Sequence, residues 1–73
     1  MYYYRVEAFL RGAWREAALF VRFRDAEDWA DSRLRPVGPW GAYRIRDFKQ
    51  RIAVMKYAPD YDPDDEGPEP EGD

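Results

Sequence analysis

Between Tyr2 and Arg24 the chain alternates apolar and polar residues in two arms separated by Arg11-Gly12-Ala13-Trp14. Side chains of a strand alternate between two faces, so such a pattern commits each arm to an inside and an outside. In the first arm Tyr2, Tyr4, Val6, Ala8 and Leu10 form the apolar row, and Tyr3, Arg5, Glu7 and Phe9 point the other way. In the second, Ala17, Leu19, Val21 and Phe23 form one row, opposed by Glu16, Ala18, Phe20, Arg22 and Arg24. A four-residue loop freed by Gly12 pairs Leu10 with Arg15, Val6 with Leu19, Tyr4 with Val21 and Tyr2 with Phe23, which brings both apolar rows onto one face. The register matters, because a slip of one residue turns a whole row to solvent. On the opposite face this pairing sets Tyr3 against Arg22 and Arg5 against Phe20, an outer surface of cations and rings.

The residues that follow supply one helix and a second pair of strands. Asp25 to Leu34 reads as a helix capped by Asp25, with Glu27 and Asp28 at its positive end and Arg33 and Arg35 at the other. Ala26, Trp29, Ala30 and Arg33, with Leu34 nearby, make a narrow stripe. Its small alanines predict a helix lying close on the sheet, with the Trp29 indole as the plug among Tyr4, Leu19 and Val21. Pro36 ends the helix, and Pro36-Val37-Gly38-Pro39-Trp40-Gly41 is a loop by composition. From Ala42 to Ala58 two readings compete. The alternation of Tyr43 to Asp47 and the β-rich Ile52 to Tyr57 predict a hairpin turning near Phe48 to Gln50. Ile45, Phe48, Ile52 and Met55 also fit one face of a helix. The hairpin gives a small α+β domain, ββαββ, with a four-stranded antiparallel sheet and one helix on one face; the helix gives ββαα.

Charge divides the chain. Residues 1–58 hold all 12 Lys and Arg against seven acids, a net +5, whereas residues 59–73 hold eight acids and no base. The overall −3 therefore joins a basic domain, 1–58, to an acidic tail, 59–73, predicted to be disordered because Tyr61 is its only large apolar group. With no Cys and no His, thiol nucleophiles, imidazole bases, disulfides and the commonest zinc ligands are all excluded. Ser32 has no evident activator, no glycine run cradles a phosphate, and the paired carboxylates lie on the tail or the helix start rather than in a pocket. The expectation is a non-enzymatic protein without cofactor or metal. Asp60, Asp62, Asp64 and Glu71 do take the first, third, fifth and twelfth places of a calcium loop, but Asp65 stands where its glycine is needed and Pro63 intervenes. Neither a secretion signal at Met1-Tyr2-Tyr3-Tyr4-Arg5 nor a long apolar run is visible, so a soluble cytoplasmic protein away from membranes is expected.

Two surfaces are candidates for contact. In the tail, Asp60, Asp62, Asp64, Asp65 and Glu66 space their carboxylates, when extended, at roughly 4 Å per charge, close to the ~3.4 Å of a single DNA strand, which lets them compete for a cationic groove. On the sheet, Tyr3, Arg5, Phe20, Arg22, Arg24, Arg44 and Arg46 form a basic, aromatic face suited to phosphates and stacked bases. The bland alternatives are a tail that shields the chain's own arginines, and arginines that pair with Glu7, Glu16 and neighbouring rings.

A Cys-free chain of this size, with a compact ββα start from Tyr2 to Leu34 and an acid run from Asp60 to Glu66, resembles the small phage-encoded inhibitors of bacterial defence, anti-CRISPR and anti-restriction proteins among them. The resemblance implies an inhibitor working in the cytoplasm of a bacterial host, presenting carboxylates to the nucleic-acid-binding surface of a larger protein or nucleoprotein complex. Its +5 body departs from the uniformly acidic DNA mimics, which leaves that role to the tail. The competing class is a single-stranded nucleic-acid-binding module that uses the sheet face and keeps the tail as an autoinhibitory brake; a third is a homodimer burying Tyr3, Phe9 and Phe20.

Overall fold

The computed structural model describes residues 3–61. Strands β1 (Tyr4–Leu10) and β2 (Ala13–Phe20) are followed by helix α1 (Phe23–Asp31) and strands β3 (Ala42–Arg46) and β4 (Ile52–Tyr57). The strands form one antiparallel sheet in the order β2-β1-β3-β4. Helix α1 lies over β1, β2 and β3 on one face, so the ββαββ architecture holds and the ββαα alternative is excluded.

The first hairpin turns more tightly than its composition suggests. Leu10 pairs with Ala13, leaving Arg11 (φ 53°) and Gly12 (φ 80°) as a two-residue turn in the left-handed region, the geometry that matches the twist of paired strands. Ala13 and Trp14 thus belong to β2, not to a four-residue loop. From the turn to Glu7↔Glu16 the register differs from the expected one by two residues, which preserves faces. Ala17 is then left unpaired, and beyond this bulge Val6 pairs with Ala18, Arg5 with Leu19 and Tyr4 with Phe20. Here the difference is one residue, which exchanges the faces. Phe20 and Ala18 turn toward the helix, whereas Leu19 and Val21 are 44% and 57% exposed. The expected pairs Tyr3–Arg22 and Arg5–Phe20 do not form; Tyr2, and with it the Tyr2–Phe23 pair, lies outside the described residues.

Helix α1 begins two residues earlier than its acids suggest. Arg22 occupies the cap position without a capping hydrogen bond, and Asp25 sits in the first turn, where its charge still suits the positive end. The early start carries Phe23 onto the Tyr4 ring, 5.6 Å between centroids. Ala26 and Ala30 are fully buried, and their lack of bulk lets the helix approach Val6, Ala8, Tyr43 and Ile45, also buried. The central filling is therefore Tyr43, Ile45 and Val6, not Trp29. Trp29 is half-buried at the margin, its ring 5.5 Å from that of Phe20 and 5.6 Å from that of Trp40, with the Arg33 guanidinium 3.9 Å from its centroid.

The helix ends at Asp31, five residues before Pro36, and the loop that follows folds back on itself. Trp40 N–H donates to Arg33 O (2.8 Å), Arg35 N–H to Trp40 O (2.9 Å) and Gly38 N–H to Leu34 O (2.9 Å), which seats the buried Trp40 against the core. Gly38 passes so close to the Arg33 backbone that a Cβ there would lie 2.3 Å from Arg33 Cα. Between β3 and β4, Asp47 organises the turn: its Oδ1 accepts from Lys49 N–H (2.8 Å) and Arg51 N–H (3.0 Å), while its carbonyl accepts from Gln50 N–H (2.9 Å) with Gln50 at φ 67°. This side-chain-to-backbone closure supplies what Lys49-Gln50 lacks as a turn pair. Strand β4 also carries one unpaired residue, Ala53, between Val54↔Ile45 and Ile52↔Arg46. Both outer strands are thus bulged, which disrupts the regular rows of N–H and C=O groups that would recruit another strand. Among the described residues no helix is long and apolar enough to cross a membrane.

Candidate interaction surface

Among the described residues one helix covers one face of the sheet and no element covers the other. Register places Arg5 and Glu7 of β1, Arg44 and Arg46 of β3, Trp14 and Glu16 of β2 and Met55 and Tyr57 of β4 on it. At its centre is Glu7, only 9% exposed although no described element covers it. Arginine side chains bury it instead: Arg44 Nε donates to Glu7 Oε1 at 2.5 Å, Arg46 Nε to the same oxygen at 3.1 Å, and Arg5 Nε lies 3.3 Å from Oε2. Burial pushes the Glu7 carboxyl up, but the hydrogen bonds and charges of Arg44 and Arg46 outweigh it and hold its pKa below the ordinary glutamate value.

The cluster is braced on two sides. Toward β2, the Arg44 guanidinium sits 4.2 Å from the Trp14 ring centroid, and Trp14 packs on Phe9 at 5.1 Å. Toward the 47–51 turn, Arg46 Nη1 donates to the Gln50 carbonyl (2.6 Å) and Arg5 Nη2 to the Gln50 side-chain oxygen. Glu16 lies 4.0 Å from Arg5 Nη1. Three guanidiniums thus meet two carboxylates, leaving a small positive excess. Around this centre stand exposed apolar groups: Tyr3 edge-on to Phe48 (6.1 Å), with Phe48 61% exposed, then Leu19, Ile52 and Tyr57.

Of the residues expected on this face, the structure brings together Tyr3, Arg5, Arg44 and Arg46. Phe20 lies on the opposite side against Trp29, displaced there by the Ala17 bulge. Arg22 is the residue before the helix and Arg24 is in its first turn, so neither joins the sheet cluster. Of the acidic run, Asp60 accepts from Arg35 Nε of the loop after α1 at 3.1 Å, while Asp62, Asp64, Asp65 and Glu66 lie outside the described residues, as does the expected disorder of the tail beyond Tyr61 and all of the calcium-like spacing except Asp60. The structure follows the chain three residues past the expected domain end, with the Tyr61 ring tilted at 38° to that of Tyr57, 5.0 Å between centroids, and its N–H donating to Ala58 O.

The alternative in which the arginines pair with Glu7, Glu16 and neighbouring rings is the arrangement that forms; sequence reasoning missed Trp14 as the guanidinium platform and Gln50 as the brace. Glu7 carried a signal, as the only acid in the Tyr3-Arg5-Glu7-Phe9 row; Trp14 was hidden by its assignment to a loop. A second polar cluster lies on the helix side. The Tyr43 hydroxyl donates to Asp31 Oδ1, and Lys56 Nζ bonds Glu27 Oε2 (3.0 Å) and Asp31 Oδ1 (3.3 Å). Burial and then Asp31 push the Tyr43 pKa above its ordinary value, and Glu27, with Asp31, raises that of Lys56. This cluster ties β3 and β4 to α1. Among the described residues no group of acids has the arrangement of a metal site. Comparison with protein-family models, curated proteins and solved structures returned no match for this chain.

Proposed function

We propose that the chain is a non-enzymatic binding protein that occupies a larger, cationic, nucleic-acid-binding protein partner, acting as an inhibitor of the anti-CRISPR or anti-restriction kind. The observation that carries the reading is the open sheet face: an arginine cluster already neutralised in large part by Glu7 and Glu16, ringed by the exposed side chains of Tyr3, Leu19, Phe48, Ile52 and Tyr57. Aromatic residues and arginine are the side chains that anchor protein contacts, and a compensated cluster gains less from phosphates than free guanidiniums do. Asp60, Asp62, Asp64, Asp65 and Glu66 supply the electrostatic contact with the partner's groove. The test is a competition assay. Affinity capture from a bacterial lysate identifies the partner, and the purified chain is then titrated against that partner's complex with single-stranded DNA. The full chain displaces DNA, Phe48→Ala and the combined D62N/D64N/D65N/E66Q variant each lose that effect by about tenfold, worth ~1.4 kcal/mol, and unchanged competition by both variants rejects the reading.

The second reading, a single-stranded nucleic-acid module restrained by its acidic tail, draws on the Tyr3–Phe48 pair and the Arg44–Trp14 stack. It predicts the opposite sign for the acid variant: D62N/D64N/D65N/E66Q binds single-stranded DNA more tightly than the parent, with a salt slope that decreases when Arg44 is replaced by Ala.

A further inference from the structure

We infer that the end of the sheet formed by the start of β1, the end of β2 and the 47–51 turn is a docking site for an anionic lipid surface. Register lays out its side chains. Leu19 pairs with Arg5, Arg5 with Arg46 and Arg46 with Ile52, a row that crosses all four strands. One step further out stand Val21, which follows β2, Tyr3, whose N–H donates to Phe20 O, and Phe48 of the turn, edge-on to Tyr3. Tyr3, Leu19, Val21, Phe48 and Ile52 are between 41% and 61% exposed, so every strand terminus on this side carries an apolar side chain into solvent.

Cations are interleaved with these groups along the chain: Arg22 follows Val21, Lys49 follows Phe48 and Arg51 precedes Ile52. Unlike Arg5, Arg44 and Arg46, the side chains of Arg22 and Arg51 have no carboxylate partner among the described residues, and that of Lys49 reaches only the Phe48 ring, 5.7 Å away. The carboxylates nearby are Asp25, in the first turn of α1, and Asp47, whose Oδ1 is taken by the N–H groups of Lys49 and Arg51. Arg22, Arg24, Lys49 and Arg51 thus outnumber the acids at this end. Asp31, at the end of α1, and Asp60, bound to Arg35, lie toward the opposite end, which polarises the domain.

The mixture of groups decides the occupant. A single strand of nucleic acid would use the cations for phosphates and the two rings for bases, but Leu19, Val21 and Ile52 offer a base nothing to stack on. A second copy docked on the same patch would bring like charges together. An anionic bilayer uses both parts: headgroups meet Arg22, Lys49 and Arg51, and the apolar side chains enter the boundary beneath them to a depth of about 5–10 Å. The cations can bridge the two layers, because their carbon stems lie along apolar surface while the charge stays in water. Such attachment needs no spanning helix, so the expectation of a chain away from membranes, which rested on leader and spanning segments, does not bear on it.

The test is co-sedimentation of the full chain with sucrose-loaded vesicles, which contain no protein partner, so it can fail while the protein contact stands. Phosphatidylcholine vesicles carrying about 30% phosphatidylserine are expected to take the protein down, and pure phosphatidylcholine vesicles are not. Each cation near an anionic surface is worth about fivefold in partition, so R22Q/K49Q/R51Q should lose about a hundredfold. Phe48→Ser, a change at an exposed side chain, should lose about tenfold. Raising NaCl to about 0.5 M, where the screening length is roughly 4 Å, should release the parent. No sedimentation with the anionic vesicles, equal sedimentation with both lipids, persistence in salt, or parental binding by either variant overturns the proposal. So does binding of oligo-dT, read by fluorescence anisotropy, that is tighter than vesicle binding and lost in R22Q/K49Q/R51Q, since the cations then serve a nucleic acid. Concentration-dependent association in sedimentation velocity that Phe48→Ser abolishes assigns the patch to a second copy and overturns it likewise.

Discussion

Glu7 is the residue on which the open face depends, because it is the carboxylate that Arg5, Arg44 and Arg46 share. Replacing it by Gln leaves three guanidiniums facing each other across β1 and β3, with Arg5 and Arg46 already paired in register. Glu7→Gln is expected to cost about 2 kcal/mol in denaturant unfolding. Its pH signature is specific. A carboxyl held below its unfolded pKa contributes stability that is fully present above the ordinary glutamate value, and loses it as pH falls through the lowered one. The parent should lose stability on acidification, and Glu7→Gln should flatten that acid limb; a limb of undiminished slope assigns it to other acids. In the core, the fully buried Ile45 and the marginal Trp29 give opposite expectations to those their sizes suggest. Ile45→Ala should cost about 3–4 kcal/mol and Trp29→Ala about 2, because the cost follows the void left in packed surroundings rather than side-chain volume alone. Equal or reversed losses would return Trp29 to the centre.

Among the elements, the bulges and the helix-to-β4 tie have separate tests. Deleting Ala17 preserves the pairings Glu7↔Glu16 and Val6↔Ala18 but turns β2 into a regular edge. The variant should remain folded and show concentration-dependent association by sedimentation, as regular edges invite pairing; a strictly monomeric variant would mean that the bulge serves only to aim Phe20 at Trp29. The Tyr43–Asp31–Lys56–Glu27 cluster predicts an alkaline limb. Both Tyr43 and Lys56 have folded pKa values above their ordinary ones, so the stability they contribute is intact below the unfolded values of about 10 and 10.5 and is lost as pH rises through the raised ones. Lys56→Met should remove part of that limb, read from melting temperature against pH; an alkaline limb of undiminished slope assigns it to other groups. In the connection after α1, Gly38→Ala should cost about 1–3 kcal/mol, since the Arg33 backbone has no flexible end that can give way.

For the whole molecule, the sorting of charge into a +5 body and an acid-only end was legible from composition, as were the helix, the Pro- and Gly-rich connection and the two β segments on either side of Asp47. Periodicity settled the first arm, because Tyr4, Val6 and Ala8 leave only one apolar row that can be inside. It could not settle the second. There Ala17, Leu19 and Val21 compete with Ala18 and Phe20, two apolar rows of similar quality, and a two-residue period has no preference between them. The tertiary structure decided through the partner: Phe20 meets Trp29, Ala18 stands opposite Val6, and one unpaired alanine shifts the remaining strand by the single residue needed to bring both inward. The same limit applies to the open face. Sequence alone placed Tyr3, Arg5, Arg44 and Arg46 away from the helix, and with them, wrongly, Phe20, Arg22 and Arg24; the collapse of Arg5, Arg44 and Arg46 onto Glu7 joins residues up to 39 positions apart. Local propensity acts on neighbours along the chain, whereas register and burial are set only when distant strands come into contact.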